Sequence, residues 1–301
     1  MSFFLVGLCY PRYSLLGTRF LFCSAPQLNS ARSFSHTSHV PLSSPPQHQI
    51  YISQSTNPYF NLTFEDWLFR HAPVDNPLLL VYRNAPCVII GRNQNPWKEI
   101  NFQALRLSSN VSQDKKAVPF IRRRSGGGTV YHDDMVTKAV ASVPSPVCKL
   151  TSFDTSVTHE AFTDAVVREF RAEYGIDNDV PCCVVKGDEE ALVSIEYMRK
   201  GMAELPSWGW SYGQTPEFTY TVRHSFAWGD VTAKIQSKHG IIQSCIMQIA
   251  DTTLCAAALE RLIRSGASLD KKKYDPTVIT TIGSDGPTKD VMAWLQHVMA
   301  R

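Results

Sequence analysis

Between two strand-like runs, Val118 to Ile121 and Thr129-Val130-Tyr131-His132, the chain reads Arg122-Arg123-Arg124-Ser125-Gly126-Gly127-Gly128. Three consecutive glycines give a backbone that takes positive φ without steric penalty and can turn several N–H groups toward one anion. The arginines beside them supply the charge to neutralise it. The fold must therefore contain a strand, a basic glycine loop and a strand. The word is not a Walker A loop, because the closing Gly-Lys-Ser/Thr is missing, and it is not Gly-x-Gly-x-x-Gly after a strand. Two readings remain: a cradle for phosphate or carboxylate, or a flexible hairpin tip whose arginines are solvated. The physics favours the cradle, and the pattern alone does not name the ligand.

The flanking sequence supplies the rest of an α+β chain. Phe60, Phe64, Trp67 and Leu68 recur at helical spacing in a segment that begins at Asn61 and ends near the Ala72-Pro73 break. Leu78 to Tyr82 and Cys87 to Ile90 are continuous apolar runs separated by Asn84-Ala85-Pro86, the pattern of a buried hairpin. Thr158 is suited to cap a helix in which Phe162, Val166, Phe170 and Tyr174 step every four residues, with Gly175 at the stop. Phe218 to Phe226, Val231-Ala233-Ile235 and Ile241 to Ile249, with a turn at Ser237 to Gly240, predict an antiparallel meander. Two helices close the chain: Thr252 to Ser265, and one from Pro287 with Val291, Trp294, Leu295, Val298 and Met299 as its buried stripe. Strands grouped among helices without a regular βαβ repeat predict an α+β fold.

Charge is unevenly distributed. The 301 residues carry 30 Lys+Arg against 27 Asp+Glu, yet the first acidic residue is Glu65. Arg12, Arg19 and Arg32 are the only charges before it, so residues 65–301 balance to zero. A neutral body lacks the basic surface that general nucleic-acid binding needs, and 44% hydrophobic content excludes a disordered chain. A Ser-rich, acid-free leader with arginines spread through it fits a mitochondrial presequence better than a secretory signal. Arg32-Ser33-Phe34-Ser35 resembles a matrix-protease cleavage site, and Pro41 to Pro46 reads as linker. The apolar run Phe3 to Tyr10 is too short to span a bilayer. Residues 1–47 are thus expected to precede the fold, and the protein is expected in the mitochondrial matrix without a membrane span. The 8 cysteines form no C-x-x-C pair and have no His at metal spacing. No metal site is expected, and the thiols read as buried and reduced, with adjacent Cys182-Cys183 as the one candidate for surface redox chemistry.

The glycine word, extended to Tyr131-His132-Asp133 and preceded by Val88-Ile89-Ile90-Gly91-Arg92-Asn93-Gln94-Asn95-Pro96-Trp97-Lys98-Glu99, resembles the lipoate–protein ligase family, in particular its fungal mitochondrial branch. The resemblance continues through Asn57 to Leu62, Lys138 to Val143, Ser207 to Gln214 and Phe226-Ala227-Trp228-Gly229. It implies a biotin/lipoate-ligase-like mixed sheet with helices over residues 48–214, and a small α+β domain over 215–301. It also implies a reaction in which ATP with Mg²⁺ activates lipoate to lipoyl-AMP. A lysine of a lipoyl carrier then takes the acyl group, on the lipoyl domain of a 2-oxoacid dehydrogenase E2 subunit or on the glycine-cleavage H protein. By resemblance, Arg123, Ser125, Gly126, Gly127, Gly128, Thr129, Val130, Tyr131 and His132 bind nucleotide and acyl group. Lys138 and Ser142 belong by resemblance to a mobile loop that folds over the adenylate.

Plainer readings stand beside these. Arg92 reads as a surface salt bridge, Trp97 as a core aromatic, and His132 as a hydrogen-bonded strand histidine rather than an acid or base. Trp208-Gly209-Trp210 reads as packing, and Lys271-Lys272-Lys273 as a solvated loop, with an acidic carrier domain as its other reading.

The chain departs from the family where Asp133-Asp134 runs directly into Met135-Val136-Thr137-Lys138. The family carries there further strands, a helix and a Ser-Gly-x-Ala segment whose lysine binds lipoate and AMP. No such word occurs here, so the catalytic lysine has no counterpart and Lys138 does not replace it. Pro144 stands where the adenylate loop has a basic residue. The sheet is therefore expected to be incomplete, with unpaired edges, and the junction reads as a faulty gene model or a splice variant. Three functions follow: an ATP-dependent ligase, a lipoyl or octanoyl transferase without ATP use, or a catalytically dead homologue that docks carriers.

Overall fold

The computed structural model describes residues 49–73, 76–105, 118–132, 137–140, 159–187, 190–279 and 286–300, with the short segments 3–4 and 149–150. The cleavage site and linker, the junction residues Asp133 to Met135, Ser142 and the Thr158 cap lie outside them. The chain divides into two compact units, Met1–Pro86 with His132–Ala203 and Cys87–Tyr131 with Glu204–Arg301. The Ser211 to Thr215 stretch is bound to Arg122 inside the second unit.

In the first unit a mixed four-stranded sheet runs in the order Thr137–Val140, Leu79–Arg83, Ile50–Ser53, Cys183–Val185. Ile50–Ser53 is parallel to Leu79–Arg83 and to Cys183–Val185, and Leu79–Arg83 is antiparallel to Thr137–Val140. Alternation assigns the two faces. Tyr51, Leu80, Tyr82, Cys183 and Val185 pack against Phe60, Phe64, Trp67 and Leu68 of the Pro58–His71 helix. Ile50, Leu79, Val81 and Cys182 pack against Val167 and Phe170 of the His159–Tyr174 helix. A sheet covered on both faces needs strands that are apolar throughout, which is why Leu78 to Tyr82 shows no alternation. It also explains Cys182 and Cys183: neighbours in sequence, they point to opposite faces and both are buried, so the surface redox reading is withdrawn.

The Pro58–His71 helix starts three residues before the expected Asn61, because Asn57 caps it through a hydrogen bond from Tyr59 N (3.0 Å) and Pro58 fills the first position. Asn61 instead faces inward with no exposed surface. Its amide nitrogen donates to Ser55 O (2.8 Å), Arg83 O (2.9 Å) and Asn84 Oδ1 (2.9 Å), and its Oδ1 accepts from Ser53 Oγ (2.7 Å). This buried network ties the helix to the ends of two strands, and it is costly to leave half made.

The predicted hairpin of Leu78 to Tyr82 with Cys87 to Ile90 is not formed. The two strands exist, as Leu79–Arg83 and Cys87–Ile90, but they belong to different sheets and different units. The intended turn does other work: Asn84 is bonded to Asn61, and Ala85 N donates to Thr56 O (2.8 Å), so the chain is held straight where it would have to reverse.

In the second unit, Cys87–Ile90 is the middle strand of a three-stranded sheet, with Phe120–Arg122 parallel on one side and Val130–His132 on the other. The C-terminal part is the expected meander: Phe218–Phe226, Gly229–Lys238 and Ile241–Ala250 pair antiparallel in order. His239 and Gly240, with φ of 53° and 69°, form its tight second turn, whose left-handed residues match the twist of the strands. Val231, Ala233, Ile235, Cys245 and Met247 point to one face, where Leu262 of the Ala256–Ala267 helix and Val291, Leu295 and Met299 of the Gly286–Ala300 helix complete the core. The first of these helices begins four residues later than expected, since Thr252 Oγ1 donates to Trp228 O (2.9 Å) and accepts from Leu254 N (3.1 Å). Trp97 is a core aromatic, packed on Tyr212, Phe218 and Tyr274 with ring centroids 5.4, 5.7 and 4.8 Å away.

Candidate functional site

The strands before and after the glycine word do not pair with each other; Cys87–Ile90 lies between them. The word is therefore a crossover that must pass over the end of the middle strand, not a hairpin tip. Arg123 N donates to Ile90 O (3.0 Å) on the way in, and Arg92 N donates to Ser125 O (2.9 Å) at the crossing. A Cβ on Gly91 would sit 1.9 Å from Gly127 O, so two backbones touch here and only glycine fits. Gly127 itself holds φ at 96°, a conformation closed to most side chains. Gln94 closes the crossing, its Oε1 accepting from Gly91 N (2.8 Å) and Thr129 Oγ1 (3.1 Å).

The three arginines separate into three roles. Arg122 has no exposed surface. Its guanidinium donates to Ser211 O (2.9 Å), Arg92 O (2.6 Å), Gln94 O (2.8 Å) and Thr215 Oγ1 (2.9 Å), and lies 3.4 Å from Gly91 O. Removal from water lowers its pKa to about 10. Arg123 turns back on the loop, with Nε and Nη2 donating to Gly126 O at 3.1 and 2.6 Å. Arg124 pairs with Glu204 and lies 4.6 Å from the Trp210 ring, while Arg92 lies 5.7 Å from the same ring. Trp210 Nε1 donates to Arg122 O (2.7 Å), which fixes that platform. Arg92 thus stands beside an aromatic ring, and among the described residues it does not form the expected salt bridge.

Above this base, Ser125 to Gly128 are exposed. Gly126 and Gly128 have nothing within 4 Å of where a Cβ would stand. Neither is required to be glycine by its neighbours, unlike Gly91 and Gly127. What their small size provides is bare backbone, open to a ligand that comes close.

Of the residues expected at the site, Arg123, Ser125, Gly126, Gly127, Gly128, Thr129, Val130 and Tyr131 are brought together by this crossover, with Tyr131 51% exposed. His132 is fully buried, and its Nδ1 lies 3.0 Å from Asn84 Nδ2. An amide nitrogen only donates, so Nδ1 is the acceptor and the neutral ring carries its proton on Nε2. Lys138, expected in a mobile loop, lies in a strand opposite Tyr82. Sequence reasoning missed Arg122 and Gln94 as the inner support, since nothing in a run of three arginines marks which one faces inward. Among the described residues, no group of three His, Cys, Asp or Glu side chains is placed to hold a metal ion.

The fold is α+β, and its crossover leaves the backbone at Gly126 and Gly128 open beside the guanidinium of Arg123. Residues 57–137 match the family model of the lipoyl protein ligase A/B catalytic domain. That stretch carries the catalytic-domain pattern of lipoyl protein ligases, and the chain is similar to lipoate–protein ligases and lipoyl transferases. It is 24% identical to lipoate-protein ligase A of Psychrobacter cryohalolentis, over 75% of this chain and 90% of that protein. It is 25% identical to the mitochondrial lipoyl amidotransferase LIPT1 of Mus musculus, over 79% of this chain and 86% of that protein. The crystal structure of P. falciparum LipL1 in complex with lipoate is similar with a TM-score of 0.44 and 19% identity, covering 82% of this chain and 99% of that one. The two sequence alignments run over 315 and 334 positions, more than the whole chain, so the relatives hold residues without counterpart here.

Proposed function

We propose that this chain transfers a lipoyl group to a lysine of a lipoyl carrier, and that it does so in the mitochondrial matrix. The carriers are the lipoyl domains of 2-oxoacid dehydrogenase E2 subunits and the glycine-cleavage H protein. Support comes from the family, from the mitochondrial relatives' names, and above all from one observation: the open backbone at Gly126 and Gly128. As the lysine amine attacks the acyl carbonyl carbon, charge develops on the carbonyl oxygen and then on the departing AMP phosphate, and pre-aimed amide donors stabilise that charge without reorganising. Arg123 adds a fixed positive charge while holding the loop in shape. Activation by ATP with Mg²⁺ fits the same donor set, with loop amides and Arg123 toward phosphate.

A second reading, transfer without ATP use, is favoured by the amidotransferase relatives and by the lack of a Ser-Gly-x-Ala word with its lysine. Incubating the chain with a lipoyl domain and either lipoyl-AMP or lipoate, ATP and Mg²⁺, then reading the mass of the carrier, separates the two. Modification from both donors supports the ligase, and from lipoyl-AMP alone the transferase. No modification from either, with the carrier still bound, would replace both by a carrier-docking homologue.

A further inference from the structure

Lys271-Lys272-Lys273 is fastened by backbone to the turn of the C-terminal meander. Lys271 N donates to Ile242 O (2.8 Å), Ile242 N to Lys272 O (2.8 Å) and Tyr274 N to Gly240 O (2.7 Å), and Ile241 and Lys273 form an antiparallel bridge. With Lys238 and His239 this gathers four lysines and a histidine on two adjoining turns, all exposed. Lys238 faces Glu217 at 4.0 Å, but among the described residues Lys271, Lys272 and Lys273 form no ion pair. The carboxylates beside the run are turned elsewhere: Asp270 accepts from Cys245 N (3.0 Å), and Asp275 accepts from Thr277 N (2.8 Å).

Two features set this cluster apart from an ordinary solvated loop. Lys271 is held at φ 63°, where glycine would be more stable by about 1 kcal/mol, so the fold gains nothing from a lysine there. Lys273 Nζ stands 4.5 Å from the Trp208 ring. Trp208 belongs to the same helical turn, Trp208–Ser211, that carries Trp210, the platform of Arg92 and Arg124 beside the glycine crossover. Within one compact unit the cations thus lead from the lysine turn to the crossover.

We infer that this surface docks the carrier domain that accepts the acyl group, through an acidic face of that carrier. The inference rests on the transfer reaction proposed above. On a body whose basic and acidic residues cancel overall, lysines gathered on one surface give a directed field that orients a folded acidic partner and speeds its encounter. Nucleic acid is the poorer fit, because its affinity comes from many phosphate contacts rather than one small patch.

The test is the full chain carrying K271E, K272E and K273E together, with lipoyl-AMP as donor and a lipoyl domain as acceptor. At about 0.02 M salt kcat/KM for the carrier is expected to fall about tenfold or more through KM, and to approach the unsubstituted value at about 0.5 M, where screening is nearly complete. Melting temperature and lipoyl-AMP affinity stay unchanged. Equal kcat/KM at low salt would overturn the inference while leaving the transfer reading intact. If the unsubstituted chain transfers nothing, that reading fails, and calorimetric titration of the carrier decides the docking alone. Binding lost in the triple variant supports it. Binding that is absent, or unchanged while duplex DNA binding is lost instead, overturns it.

Discussion

Arg122→Met should unfold the floor of the crossover. Four hydrogen bonds shorter than 3.0 Å leave the buried guanidinium, and each charge-assisted bond contributes about 1.5–3 kcal/mol. Against them stands the cost of keeping the ion out of water. Lowering its pKa from 12.5 to about 10 corresponds to about 3 kcal/mol. The net contribution is then about 3 kcal/mol or more, and the methionine also leaves the carbonyls of Ser211, Arg92 and Gln94 without a donor. A loss of about 3–5 kcal/mol is expected in urea unfolding, a fall in Tm on the order of 10 °C. Arg122→Lys should recover part of it, since a single ammonium cannot reach Ser211 and Gln94 together. If the methionine variant unfolds within about 1 kcal/mol of the unsubstituted chain, Arg122 is not the brace described here.

Gly91→Ala would place a methyl 1.9 Å from Gly127 O and should cost about 2–3 kcal/mol with the loop displaced, whereas Gly126→Ala and Gly128→Ala meet open space and should melt unchanged while weakening lipoyl-AMP binding by calorimetry. Unchanged affinity in both of the latter would remove the ligand from the crossover. Burial, with Asp270 adding to it, pushes the Cys245 thiol up from 9.0 to about 12. The unfolded chain therefore loses this proton near 9.0 while the folded chain keeps it, so the contribution is intact below 9.0 and stability declines as pH rises toward 12. The slope approaches about 1.4 kcal/mol per pH unit, and Cys245→Ala should flatten it; identical slopes between pH 9 and 10, measured by urea unfolding, would contradict the assignment.

The amino-acid sequence by itself determined the elements governed by local physics. The meander, its second turn, the stripe of the last helix and the glycine word were legible because period, turn chemistry and φ freedom act over a few residues. So was the likeness to lipoyl protein ligases, carried by two long words. Strand partners were not legible. Leu79–Arg83 and Cys87–Ile90 look like a hairpin because an apolar run does not say which edges it pairs with, and only the buried bonds of Asn61 and Asn84 in the tertiary structure decide that the chain does not turn there. The same holds at the crossover. Three adjacent arginines are chemically alike along the chain, and packing alone sends Arg122 inward, folds Arg123 onto Gly126 and lays Arg124 over Trp210. The choice depends on carbonyls about ninety residues away in sequence, at Ser211, and no local pattern carries information over that distance.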